Sequence, residues 1–140
     1  MLNKDVEKLS LLRVIKGEIN REANKYGELN IQLNKLKNKV ELLPGDIKKV
    51  AKKIKDKIDV IVMPRPQLKD SFLKEAFGLS KKGTRIYYYD FCPVEEKENI
   101  VEKIKSEAKK YKKKIKILRV KEAGEIAPYK VRLRIDFQVV

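Results

Sequence analysis

The feature that most constrains this chain is an alternation of short apolar runs with amphipathic helical patterns. Ile58–Met63 (IDVIVM) is almost continuously apolar, as expected of a strand covered on both faces. Pro64-Arg65-Pro66 ends this run, and an apolar stripe with helical spacing follows from Phe72 to Leu79. Thr84–Phe91 (TRIYYYDF) is then rich in residues that favour strands. Strands that alternate with helices over short connections predict an α/β fold with a mostly parallel sheet.

The same patterns assign the rest of the chain. Further strands are predicted at Leu11–Glu18, Val40–Leu43, Ile115–Val120 and Lys130–Val140. Further helices are predicted from Arg21 to about Leu36, after a cap at Asp46, after a cap at Asp70 with Gly83 beyond the helix end, and from Pro93 to about Lys113. Because the loop predicted at Glu122–Pro128 is too short for a crossover helix, the last two strands should pair antiparallel.

Composition limits the classes of function. The chain of 140 residues holds 35 Lys and Arg against 20 Asp and Glu, a net charge of +15, which favours polyanionic partners such as nucleic acid. A lysine-rich or thermophilic surface is an alternative. With one cysteine, Cys92, and no histidine, we expect a reducing, cytoplasmic setting and no zinc site. No apolar run approaches the roughly 20 residues of a membrane span, so no membrane partner is expected.

Three stretches carry a resemblance to a known family. They are Ile58–Phe77, Gly83–Phe91 (GTRIYYYDF) and Ile126–Phe137 (IAPYKVRLRIDF). Together with the closing antiparallel hairpin, they resemble class I S-adenosylmethionine-dependent methyltransferases, and specifically archaeal tRNA (guanine(37)-N1)-methyltransferases and their wybutosine-pathway relatives. The resemblance implies that residues 1–140 form a single, partial catalytic domain. It would hold the last six strands of an incomplete Rossmann-like sheet, without the first strand and its Gly-rich loop.

The resemblance also implies residues that bind the cofactor, S-adenosyl-L-methionine. Glu18 would accept hydrogen bonds from both ribose hydroxyls, which suits a carboxylate, and Ile19 and Asn20 would lie beside the adenine. Asp46 would contact the adenine amino group, with Ile47 packed against the ring. Two alternatives stand beside these assignments: Glu18 as a solvated charge at a strand end, and Asp46 as only a helix cap, although a cap uses one oxygen and leaves the other for a ligand.

The same resemblance places Pro64, Arg65 and Pro66 in the pocket for the tRNA guanine. The family has Asn where this chain has Pro64, and proline lacks the amide that would face the guanine edge. Pro66 matches the family motif, and Arg65 could meet a phosphate or a base, or be a solvated loop residue. The family's catalytic base lies upstream of the matching region, so the catalytic residues of this chain are unassigned.

Three hypotheses follow. The chain is one half of a split tRNA guanine-N1 methyltransferase, inactive alone, whose partner is an N-terminal half or, in its absence, a second copy of the chain docked between Leu11–Glu18 and Ile58–Met63. Alternatively, it is a stand-alone basic RNA-binding or assembly module that kept the fold without catalysis. A third possibility is a truncated gene product.

Overall fold

The computed structural model describes residues 21–64 and 70–140. The predicted strand Leu11–Glu18 therefore lies outside the described residues. The helices are α1 (Arg21–Leu33), α2 (Ile47–Val50), α3 (Leu73–Leu79) and α4 (Lys97–Lys110), the last preceded by a short 3-10 helix at Val94–Glu96. The strands are β1 (Ile58–Met63), β2 (Ser80–Pro93), β3 (Ile115–Ala127) and β4 (Lys130–Val139). In the described part of the chain, no helix is both long and apolar enough to cross a membrane.

The four strands form one mixed sheet in the order β1-β2-β4-β3. β1 runs parallel to β2, with Val62 opposite Tyr87. β4 runs antiparallel to β2 and also to β3. The expected α/β fold with a parallel part and a closing antiparallel hairpin is therefore confirmed, and β1 forms one edge of the sheet among the described strands.

The hydrophobic core lies between one face of this sheet and helices α3 and α4. Leu73 and Phe77 contribute from α3 and Ile104 from α4. The sheet contributes alternate residues of its two central strands: Ile86, Tyr88 and Cys92 from β2, and Val131, Leu133, Ile135, Phe137 and Val139 from β4. Because successive side chains of a strand point to opposite faces, this alternation fixes which residues remain for the other face.

The opposite face of the same strands is polar and aromatic. It carries Arg85, Tyr87 and Tyr89 from β2 and Arg132, Arg134 and Asp136 from β4, six residues that we call the polar face. Arg85 is exposed and most of the others are half-buried, and none belongs to the core cluster. The two faces therefore differ in chemistry along the whole length of β2 and β4.

Two predicted boundaries around α3 are wrong. Asp70 does not cap the helix directly: Phe72 holds the N-cap position in a left-handed conformation (φ 52°), and the Asp70 carboxylate accepts a bond from the Phe72 amide. The helix ends at Leu79, four residues before Gly83 (φ 94°), which lies inside β2 and does not cap the helix. The reason is a bulge after Ser80, because Ser80 pairs with Ile58 while Arg85 pairs with Val60.

Two predictions of strand and loop are also wrong. Val40–Leu43 is not a strand, because its backbone pairs with no described strand. Most of the loop predicted at Glu122–Pro128 belongs to β3, which continues to Ala127 before a tight turn in which Tyr129 has φ 61°. This part of β3 is held by its backbone pairing with β4, while its side chains stay exposed and show no apolar alternation. α1, α2 and α4 each end earlier than their patterns predict.

Candidate functional site

The candidate site lies where β1 ends. Met63, the last residue of β1, pairs with Tyr88, and the exposed Pro64 follows. In open α/β sheets, ligands bind outside the carboxyl ends of the parallel strands, so Pro64 stands in the expected place. Arg65 and Pro66, the other two residues predicted for the guanine pocket, lie outside the described residues. Pro64 can offer a ligand its ring and its carbonyl oxygen, and no side-chain amide.

Asp46 precedes α2 and caps it. Its backbone is extended, and its Oδ1 accepts a hydrogen bond of 2.9 Å from the Lys48 amide. The predicted cap is thus confirmed. The side chain is exposed, and the second carboxylate oxygen makes no hydrogen bond to the described part of the chain, so it fits a donor such as an adenine amino group. The contact with adenine itself stays a prediction.

Ile47 fits its predicted role less well than Asp46. It is 8% exposed and packs inward with Val50, which leaves little of its side chain for contact with an adenine ring. The remaining predicted cofactor residues, Glu18, Ile19 and Asn20, lie outside the described residues. The structure therefore describes Asp46, Ile47 and Pro64 from the predicted set.

A contact that the sequence did not predict joins α2 to the segment directly before α3. The Lys48 ammonium lies 2.6 Å from Asp70 Oδ2 and 5.7 Å from the centre of the Phe72 ring. The hydrogen bond to Asp70 raises the pKa of Lys48, and the charge of Asp70 adds to the effect. Nothing in the local sequence pattern signals a pair of residues this far apart in the chain, because neither shares a helix or a strand with the other.

An open groove of about 550 Å³ begins at this pair and passes residues of α3 and α4. Its wall carries both signs of charge: the lysines Lys48, Lys74, Lys103 and Lys110, and the acidic residues Asp70, Glu75 and Glu107. Such a mixed lining favours neither an anionic nor a cationic ligand. Within residues 21–64 and 70–140, no group of three or more His, Cys, Asp or Glu side chains could hold a metal ion.

A buried polar pair stands near the end of β2. The Tyr88 hydroxyl donates to Asp90 Oδ2 at 2.8 Å, and the Phe91 amide donates to Asp90 Oδ1 at 2.9 Å. The Lys103 ammonium lies 3.8 Å from the same carboxylate. Burial, and next the charge of Asp90, raises the pKa of the neighbouring Cys92 thiol. Cys92 is therefore held in its protonated form, which is a poor nucleophile.

The polar face holds its arginines in defined positions. The Arg132 guanidinium lies 4.7 Å from the centre of the Tyr89 ring, and that of Arg134 lies 4.9 Å from the centre of Tyr87. Arg134 also donates two hydrogen bonds to Asp136, of 2.7 and 2.9 Å, and this pairing raises the pKa of Arg134. The alternation of Tyr87 and Tyr89 with Arg132 and Arg134 on neighbouring strands is a signal that could have predicted these stacked pairs.

Comparison with known proteins identifies relatives. Residues 5–118 match the family model described as the TRM5/TYW2 methyltransferase domain. The chain is 35% identical over 123 residues to the tRNA (guanine(37)-N(1))-methyltransferase Trm5b of Pyrococcus abyssi, a match that covers 87% of this chain and 36% of the relative. The crystal structure of that protein superposes with a TM-score of 0.74.

Two further solved structures share the fold at lower identity. Trm5 of Methanocaldococcus jannaschii in complex with adenosine is 24% identical, with a TM-score of 0.69 over 87% of this chain and 35% of its own. TYW2 of M. jannaschii in complex with AdoMet is 24% identical, with a TM-score of 0.69 over 88% of this chain and 56% of its own. At this identity the likeness shows the fold alone.

The chain thus spans about a third of the length of the curated relative that it matches. The family model nevertheless covers most of the 140 residues, and the strand order agrees with the mixed sheet expected of this fold. The chain belongs to the TRM5/TYW2 methyltransferase domain family.

Proposed function

We propose that this chain works as part of an S-adenosyl-L-methionine-dependent tRNA methyltransferase that modifies guanine N1. The observation that carries the proposal is the 35% identity to the P. abyssi tRNA (guanine(37)-N(1))-methyltransferase along 87% of the chain. Residues 1–140 would form one partial catalytic domain that acts in the cytoplasm. The adenosine bound by one relative and the AdoMet bound by another are consistent with the cofactor.

In this proposal the cofactor, when bound, supplies the methyl group of its sulfonium. Methylation of guanine N1 would need a base to take the N1 proton, so that the N1 lone pair could form the bond to the methyl carbon as the carbon–sulfur bond breaks. The base would come from outside this chain. This chain contributes binding: Asp46 offers a carboxylate oxygen to the adenine amino group, and Glu18 accepts from the ribose hydroxyls. Ile19 and Asn20 lie beside the adenine, and Ile47 adds only the small part of its side chain that is exposed.

The proposed guanine contacts are Pro64, Arg65 and Pro66. Pro64 follows β1 directly and is exposed, so it is available to a substrate placed at the carboxyl end of that strand. Because a proline side chain offers neither a donor nor an acceptor, the guanine edge must be read by other groups. Arg65 is the candidate here, since its guanidinium can donate two parallel hydrogen bonds to a base or a phosphate.

A partner polypeptide is part of the proposal. β1 pairs with β2 on one side only among the described strands, and Val60, Ile61, Val62 and Met63 are half-buried rather than fully covered. An apolar strand with an unpaired edge is a template for a further strand. The curated relative is more than twice as long as this chain, so a separate N-terminal half could supply that strand, together with the Gly-rich loop and the base. A second copy of this chain could cover the edge in its absence.

A reconstitution assay tests the enzymatic proposal. The purified chain is incubated with unmodified tRNA and methyl-labelled S-adenosyl-L-methionine, alone and together with the part of the P. abyssi relative that this chain does not cover. We expect no transfer by the chain alone and label on guanine N1 with both polypeptides. Transfer by the chain alone would refute the need for a partner. A complex that copurifies but transfers no methyl group would support the non-catalytic RNA-binding alternative and overturn the enzymatic proposal.

Binding measurements on the reconstituted complex test the cofactor residues. Glu18→Ala should weaken cofactor binding by roughly 1–3 kcal/mol, because two ribose hydroxyls lose their acceptor. Asp46→Ser should also weaken binding, since serine keeps the capping oxygen but loses the second acceptor. Asp59→Ser, an exposed position on β1, is the matched control. Unchanged affinity in the Glu18 or Asp46 variant would show that the corresponding assignment is wrong.

Salt dependence tests the proposed contact with RNA. With a net charge of +15 and basic positions such as Arg65, Lys69, Arg132 and Arg134, we expect RNA binding that is unspecific and falls steeply with salt. The slope of log affinity against log salt should be near −0.7 for each phosphate neutralised on a single strand. A flat salt response would contradict an electrostatic contact.

A further inference from the structure

We infer that Lys48 is a positioning residue. It fastens the segment of Asp46, the proposed adenine contact, to the segment Asp70–Phe72, which follows the proposed guanine contacts in the chain. The inference rests on the proposed function for its consequence in catalysis, and on the described contacts for the fastening itself. Asp46 lies just before Lys48, and residues 65–69 lie between Pro64 and Asp70. In the sequence, the proposed adenine contact Asp46 is therefore close to Lys48 itself, and the proposed guanine contacts are close to Asp70, the partner of Lys48.

Both the backbone and the side chain of Lys48 take part in this connection. The Lys48 backbone amide donates to Asp46 Oδ1 at 2.9 Å, which fixes the orientation of the carboxylate proposed to meet adenine. The Lys48 ammonium meets Asp70 Oδ2 at 2.6 Å. The two carboxylates are therefore held at a set separation by the backbone and the side chain of a single lysine.

Asp70, the partner of the Lys48 ammonium, is itself held in place by a second contact. Asp70 Oδ1 accepts from the Phe72 amide at 3.1 Å, so both oxygens of the carboxylate are engaged. Phe72 adopts a left-handed backbone (φ 52°, ψ 17°), a conformation that a bulky residue keeps only where its surroundings impose it. The next residue, Leu73, is fully buried in the core. Asp70 therefore fixes the backbone directly before α3.

The pair is poorly placed to serve stability alone. The side chains of Lys48 and Asp70 are 54% and 44% exposed, and ion pairs that exposed contribute little to folding. The acidic groups that face the ammonium are Asp70, Glu75 and Asp46, in that order of influence, so Asp70 is its principal partner. An exposed pair that joins the segment of Asp46 to the segment before α3 fits a role in holding the relative position of the two segments.

Hydrogen exchange on the intact chain tests the fastening without any ligand. Lys48→Met keeps the length of the side chain and removes its charge, and Lys49→Met is the matched control on the neighbouring exposed residue. We expect Lys48→Met to speed amide exchange at least about twofold in two separate segments, residues 45–50 and 70–72, with global stability nearly unchanged. Exchange identical to that of Lys49→Met would overturn the inference, whatever the chain does to tRNA.

Ligand binding by the reconstituted complex tests the consequence. Lys48→Met should weaken adenosine binding and raise the KM for tRNA by about two- to fivefold each, the scale of one exposed ion pair. Lys48→Arg should restore both values, because it keeps the cation and leaves the contact between Asp70 and the Phe72 amide intact. Accelerated exchange without any change in adenosine affinity or KM would overturn the positioning role. If the wild-type complex transfers no methyl group, the proposed function fails, and the exchange experiment still decides whether Lys48 fastens the two segments.

Discussion

The two faces of the sheet are built from the same strands and differ in almost every physical property. On the helix-covered face, Ile86, Ile135 and Phe137 are completely buried. On the polar face, their sequence neighbours Tyr87, Arg134 and Asp136 form stacked and charged pairs. Burial of apolar area dominates folding energies, whereas exposed charge pairs contribute little. The comparison indicates that one face stabilises the domain, while the other is left with charged and aromatic groups that define a surface.

The largest expected effect separates the two faces directly. Phe137→Ala should destabilise the chain by about 3–5 kcal/mol, because a large buried ring is replaced by a cavity; the Phe137 ring lies 6.1 Å from that of Phe77. Gln138→Ala, one residue along β4 on the other face, should cost about 0.5 kcal/mol. Urea denaturation of both variants measures the difference. Similar losses from both would contradict the division between the faces.

A smaller effect is expected from the strongest pair on the polar face. Arg134 and Asp136 are joined by two hydrogen bonds, and the Asp136 side chain is only 10% exposed. A double-mutant cycle with Arg134→Ala and Asp136→Ala should give a coupling of about 1–2 kcal/mol. The exposed helical pair Glu102–Lys105 is the control, with an expected coupling of about 0.3–0.5 kcal/mol. Equal couplings would show that the partial burial of Asp136 adds nothing.

The stacked pair of Arg132 and Tyr89 should contribute less to the free energy of unfolding than the pair of Arg134 and Asp136. Arg132→Met keeps the apolar stem and should cost about 0.5 kcal/mol, the lower end for an interaction between a cation and an aromatic ring. The lower end is expected because Arg132 Nε is buried without a hydrogen-bond partner in the described structure, so its removal also relieves a desolvation cost. Thermal unfolding compares this variant with Arg85→Met, an exposed position on the same face. A loss of stability above about 2 kcal/mol in Arg132→Met would contradict this, because it would show that Arg132 matters to folding as much as a core residue does.

The smallest expected effect concerns pH on the helix-covered side. Burial raises the pKa of Cys92 above its ordinary value of 9.0, so the folded thiol keeps its proton where the unfolded thiol loses it. This contribution is fully present below the unfolded pKa and is lost as pH rises toward the folded pKa. Between about pH 8 and about pH 10, the unfolding free energy of the wild type should therefore fall more steeply than that of Cys92→Ala. Parallel curves would indicate that the thiol is not desolvated.

The elements that the sequence predicted well are those whose pattern is enforced by burial on one side. β4 alternates apolar and polar residues along its whole length, and this pattern predicted the strand. Its antiparallel pairing with β3 was predicted from the short connection between the two strands and is confirmed. β1 was recognised because its residues are almost all apolar. In both strands the apolar residues record contact with the protein interior, which is what a pattern of hydrophobicity reports.

The wrong or missing predictions concern segments whose structure depends on contact with a distant part of the same chain rather than on the local pattern of residues. β3 continues through Glu122 and Glu125 because β4 offers backbone groups to pair with, although its side chains show no alternation. Val40–Leu43 has strand-like residues and lacks a described partner. Likewise, the capping oxygen of Asp46 was predictable from local chemistry, whereas the contact of Lys48 with Asp70 joins segments that meet only in the folded chain.

The order of the strands has a consequence for the route of folding. β3 and β4 are neighbours in sequence and meet through a two-residue turn, whereas β1 reaches its parallel partner β2 only after α3 has formed the crossover. Local pairings form early and long-range ones late, because closing a long loop costs entropy before contacts repay it. We expect φ-values near one for Val131→Ala in β4 and near zero for Val62→Ala in β1. The strand that ends at the candidate site would then be the last to join the sheet, so the site would be completed in the final step of folding.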